Sequence, residues 1–123
     1  MDRIVVGDPA TEIRALANVW LPTWPALRAA VAAGANVVVA HEPTFYTHWD
    51  WEGFDEAFAP IPLEARAAVA KTRDEKRRWI EAQGVVVIRC HDVPDRMPRG
   101  VVDALVAALG FAASEVVAAS PHS

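Results

Sequence analysis

A single cysteine, Cys90, stands in the 123-residue chain. One thiol excludes an intrachain disulfide framework and a metal cage built on thiolates alone, and it suits a reducing compartment. A basic surplus is also missing: 12 Lys and Arg face 16 Asp and Glu, a net charge of −4. Proteins that track nucleic-acid phosphates carry the opposite balance, so no nucleic-acid partner is expected. No stretch reaches the ~20 apolar residues of a membrane helix. The run Met1 to Pro9 meets turn residues before any apolar signal region. The expectation is a soluble, cytoplasmic protein with no membrane partner. The six glycines build no phosphate-cradling loop, no serine sits in a nucleophile elbow, and no helical His-Glu-x-x-His motif occurs.

What is present has the balance of a folded domain. Hydrophobic residues make up 53% of the chain and charged residues 23%, close to globular averages. The length suits one α/β domain over residues 1–123. Two segments share a layout. Thr23 to Gly34 is alanine-rich and helical, then Ala35 to Ala40 runs apolar into His41-Glu42-Pro43. Thr72 to Gly84 is again helical, then Val85 to Cys90 runs into His91-Asp92-Val93-Pro94. Glycine tolerates the positive φ that closes a helix. In both segments the histidine stands seven residues after that glycine. Short, nearly continuous valine runs between a glycine and a proline predict strands covered on both faces. Helices alternating with them predict a largely parallel or mixed sheet flanked by helices. A generic α/β domain with coincidental His-acid endings is the alternative.

The remaining segments are read more coarsely. Ile4-Val5-Val6 predicts a short strand. Ile13 to Trp20 is open between helix and strand. Residues 43–62 predict a long aromatic loop holding Trp49, Trp51, Phe54 and Phe58, of a length often tied to function. Leu63 to Gln83 predicts one helix whose Lys71, Arg73, Lys76, Arg77 and Arg78, interleaved with Asp74 and Glu75, form a solvated, ion-paired face. Val101 to Leu109 predicts a short helix closed by Gly110, and the tail from Ser114 is small and polar. Trp20, Trp24 and Trp79 are expected in the core or at subunit contacts.

Ligands gather outside the carboxyl ends of strands in open α/β sheets, which is where His41-Glu42 and His91-Asp92 fall. Imidazole and carboxylate donors suit Zn, Mn or Fe. Adjacent strand residues face apart, so His41 and Glu42 serve one ion only if the chain leaves strand geometry there, as Pro43 encourages. Asp95 follows His91 by four residues, and the flanking Pro94 and Pro98 argue for a turn rather than a helix. His48 and Asp50 form a further His-x-Asp pair. A Cys90–His91 nucleophile pair is disfavoured by the same alternation of faces.

Gly7-Asp8-Pro9, Gly34-Ala35-Asn36, His41-Glu42-Pro43-Thr44-Phe45-Tyr46 and His91-Asp92-Val93-Pro94-Asp95, continuing through Pro98, Gly100, Val101, Asp103, Ala104 and Leu105, resemble the Nif-three-like dinuclear metal centre proteins, often described as type two GTP cyclohydrolase I-like. The likeness runs from about Arg3 to Phe111. It implies an α/β domain in a ring-like hexamer whose subunits hold two divalent ions. The ligands it implies are His41, Glu42 (where most relatives carry a second histidine), His91 and Asp95, and it implies a strand over Ile13 to Trp20. Family members draw a further His and Glu from a C-terminal segment that has no match before Ser123. The expectation is therefore a single ion, or a site completed by a neighbour. Two functions are expected to compete: a metal-dependent hydrolase using a metal-activated water, with Glu42 or Asp92, whichever is not a ligand, as general base, and a non-catalytic metal-binding scaffold that self-associates.

Overall fold

Val37 to Ala40 and Val86 to Arg89 are buried along nearly their whole length, as continuous apolar runs demand. The computed structural model describes residues 2–48, 50 and 58–111. In chain order the elements are β1 (Arg3–Val6), β2 (Leu16–Val19), α1 (Trp24–Ala32), β3 (Val37–Ala40), α2 (Leu63–Ala82), β4 (Val86–Arg89), α3 (Asp92–Arg96) and α4 (Val101–Ala108). The strands form one mixed sheet in the order β1-β4-β3-β2. β2, β3 and β4 run parallel, with Leu16 opposite Val37 and Val37 opposite Val86. β1 is antiparallel to β4, with an irregularity between Ile4 and Val6. The expected class, a largely parallel or mixed sheet with helices, is the class found.

The two helix–strand junctions are built alike. Beyond α1, Gly34 takes φ +84°, its N–H donates to the Val31 carbonyl at 2.9 Å, and Ala35 N–H donates to the Ala30 carbonyl at 3.0 Å. Beyond α2, Gly84 takes φ +62°, its N–H donates to the Glu81 carbonyl at 3.0 Å, and Val85 N–H donates to the Ile80 carbonyl at 3.3 Å. This double closure needs a left-handed residue, which glycine adopts at least cost. At its other end α1 is capped by the Thr23 side chain, which accepts from Ala26 N–H at 3.3 Å.

One face of the sheet carries the core. Val38 and Val87 pack with Leu27 and Ala30 of α1, Ile80 of α2, and Phe45 from the loop after β3. The segment left open between helix and strand is β2. Its alanines do not decide the matter, because tertiary contacts override propensity. Buried Asn36 accepts from the N–H groups of Arg14 and Ala15 at 2.9 and 3.2 Å, and its Nδ2 donates to the Glu12 carbonyl at 2.8 Å. That amide pins the approach to β2 in extended form.

The described residues group into two compact units, one ending at His91 and one beginning at Asp92. The second contains α3 and α4. Here one expectation is corrected: Asp95 is helical, in the first turn of α3. Pro94 is tolerated because the first-turn N–H groups have no intrahelical acceptor. Gly100 then precedes α4, and a Cβ there would fall 2.0 Å from the Pro94 carbonyl oxygen, so only glycine fits the turn. Trp49, Trp51 and Phe54 of the aromatic loop, and the tail from Ser114 with His122, lie outside the described residues.

Candidate metal centre

β3 and β4 are parallel and in register, with Ala40 opposite Arg89, so both deliver their following residues to the same end of the sheet. His41 comes directly after β3, and His91 two residues after β4. The imidazole centroids stand 4.4 Å apart with planes tilted by 35°. Each ring offers a nitrogen within 4.8 Å of the other's. The chain does leave strand geometry at His41: the N–H groups of His41 and Glu42 both donate to the Trp20 carbonyl, at 3.2 and 2.8 Å. Glu42 is thereby turned back on its neighbour, with Oε1 3.5 Å from His41 Nδ1.

Two further groups hold the histidines, and sequence reading did not place them here. The Trp20 indole lies face to face on the His41 imidazole, with centroids 3.9 Å apart and planes 10° from parallel. It is 58% exposed, so it does not belong to the core. Asp2 accepts from the His91 N–H at 2.8 Å, and its other oxygen lies 3.9 Å from Cys90 Sγ. Burial pushes the Cys90 thiol up, and the Asp2 charge and hydrogen bond push it further.

The loop after His41 is held from within by buried charge. Asp50 accepts from the N–H groups of Thr44 and Phe45. Arg89 donates to the carbonyls of His41 and His48, and lies 3.5 Å from Asp50 Oδ2. Asp50 and Arg89 are 0% and 1% exposed, so each needs the partners just named, although Arg89 Nη2 stays buried without a hydrogen bond. Lys76 corrects the expectation of a wholly solvated helix face. It is 2% exposed, donates to the Thr44 carbonyl at 2.7 Å, and lies 5.0 Å from the Tyr46 ring centroid. Burial lowers its pKa to about 8, with Asp50 pulling it partly back. The rest of that face is ion-paired, as in Lys71–Glu75 and Arg77–Glu81.

The remaining candidates are placed as follows. His48 is exposed, its ring perpendicular to that of His91 at 6.2 Å, whereas Asp50 is turned inward, so the two do not act as a pair. Asp92 and Asp95 both stand in α3 of the second unit. Beside the His41–Glu42 turn lies a largely apolar cleft of about 530 Å³, lined among others by Leu21, Trp24, Pro43, Tyr46 and Lys76.

The donor set fits a divalent cation. Two imidazoles approach each other at the strand ends, and the Glu42 carboxylate stands 3.5 Å from the buried Nδ1 of one of them. Donors on a tetrahedral ion with bonds of ~2.1 Å stand roughly 3.4 Å apart, within reach of the observed spacing by small ring rotations.

Neither a family model nor a curated protein sequence matches this chain. Its fold does match solved structures. A Staphylococcus aureus protein, SA1388, superposes with a TM-score of 0.66 at 18% identity, over 89% of this chain and 31% of that one. A Bacillus cereus protein related to NIF3 superposes with a TM-score of 0.68 at 20% identity, over 92% of this chain and 27% of that one. The chain thus spans about three tenths of the structures it matches, and what it shares with them is the NIF3-like fold.

Proposed function

We propose that this chain binds a divalent metal ion, Zn, Mn or Fe, through His41, Glu42, His91 and Asp95. The observation that carries the reading is the pair of imidazoles brought side by side by two parallel strands. Glu42 has a second carboxylate oxygen beyond the one facing His41 Nδ1. Asp95 enters on the motif resemblance and on its place four residues after His91. The test is isothermal titration of the metal-free protein with Zn, Mn and Fe(II), repeated on His41→Ala, His91→Ala and Asp95→Ala. Loss of binding in the two histidine variants is expected, since removing a ligand from a site this small leaves too few donors. Equal binding in all four proteins removes the site.

The chemistry such an ion supplies is a bound water of lowered pKa. With it the protein acts as a metal-dependent hydrolase in the cytoplasm, Asp92, or Glu42 where it is not itself a ligand, taking the proton and the neighbouring cleft receiving the apolar part of the substrate. Hydrolysis of a panel of phosphate esters, GTP and amides that stops on chelation supports this; activity that survives chelation overturns it. A second reading has its own support. Leu16, Trp20 and Leu21, on and beside edge strand β2, are exposed, a surface suited to subunit contact. On that reading the chain is a metal-binding scaffold in a ring-like oligomer. A monomeric mass at high concentration counts against it.

A further inference from the structure

We infer that Trp20 is a positioning residue for the metal ligand His41. The inference rests on the metal-binding reading and extends it to a residue outside the ligand set.

A large indole that is 58% exposed gains little from burial, so its placement needs another explanation. The explanation is the face-to-face stack on His41 at 3.9 Å and 10°. The same residue's carbonyl takes the N–H groups of both His41 and Glu42. Backbone and side chain of Trp20 thus grip one turn from two sides. The backbone bonds set where the turn begins, and the indole sets the plane of the ring. Glu42 Oε1 lies 3.5 Å from Nδ1 at the edge of that ring. An imidazole so held presents its remaining nitrogen along one direction, and pre-set ligands lose less rotational freedom on binding. The stack also gains when a cation binds. Coordination withdraws electrons from the imidazole, and an electron-rich indole face attracts an electron-poor partner more strongly.

The test compares Trp20→Leu and Trp20→Phe with the parent. Because the side chain is exposed and its carbonyl is retained, both variants keep the fold, checked by circular dichroism. In metal-free protein, ring-current shifts of the His41 carbon-bound protons report the stack: upfield in the parent and in Trp20→Phe, and lost in Trp20→Leu. In titrations with Zn, Trp20→Leu is expected to bind about 10-fold more weakly, in the range of lost supporting contacts at metal sites, with Trp20→Phe restoring most of the affinity. Parent-like affinity in Trp20→Leu, with the ring-current shift gone, overturns the inference and leaves the metal site standing. No binding by the parent overturns both. An upfield shift that persists in Trp20→Leu shows that the stack does not set the ring and also overturns it.

Discussion

Lys76 shows how a single side chain couples the loop after β3 to α2. Its ammonium is enclosed, spends one N–H on the Thr44 carbonyl, and carries a pKa lowered to about 8 from the ordinary 10.5. Between those two values the unfolded chain holds a proton that the folded chain has released. Stability therefore rises with pH through this window, as the cost of burying the charge is relieved. Urea unfolding at pH 7.5 and 10 is expected to show a gain of about 1–2 kcal/mol in the parent relative to Lys76→Met. Taking the difference between the two proteins cancels the opposing contribution of Cys90, whose thiol is raised. A parent and variant with identical pH profiles contradict this account. The residue scale is also where sequence reading reached least far. His41 and His91 were legible because they end apolar runs at matched distances from glycines. Lys76 was not, because it sits among cations on a helix whose other charges are solvated. Arg89 did leave a signal, a guanidinium closing an otherwise apolar strand, which requires a buried acceptor nearby.

The helix–strand repeats were legible as elements because period, glycine and proline agree over long stretches. From its own residues β2 was not, since the four-residue stretch Leu16–Val19 carries no decisive pattern and the deciding contact comes from another segment. That contact is the Asn36 amide, with two accepted hydrogen bonds and one donated. Asn36→Ala leaves two N–H groups and a carbonyl without these partners, and is expected to cost about 2–4 kcal/mol. Faster hydrogen exchange at the Arg14 and Ala15 amides is the local check, and unchanged exchange there contradicts it. Because Trp20 follows β2 directly, the same variant should weaken the indole–imidazole stack. Helix α3 defied expectation for a different reason. A proline was read as a breaker, but its position in the first turn costs no hydrogen bond.

For the whole molecule, the fold class could be argued from alternation of helices and valine runs, and the structural matches agree with it at 18% and 20% identity. The proposed metal binding is tested at this scale by the linkage between ligand and folding. A metal that binds only the folded chain adds about 2.7 kcal/mol of stability at a free concentration 100 times its dissociation constant. Thermal unfolding of the parent is expected to shift upward with added metal, and His41→Ala to stay where it is. A shift of equal size in both proteins places the ion elsewhere. The charged faces of α2 should contribute little to either midpoint, since exposed ion pairs are worth at most about 1 kcal/mol each.

The seven-residue interval from each capping glycine to its histidine works as a ruler laid along the sheet. At about 3.3 Å per residue it spans roughly 23 Å, and since Val37 pairs with Val86 the two intervals run one residue out of step, with Cys90 opposite His41 and His91 one residue beyond. One residue inserted between Gly84 and His91 would invert the side on which His91 emerges. Two would carry it about 6–7 Å further. Length in these strands is therefore under tighter constraint than the identity of any valine within them.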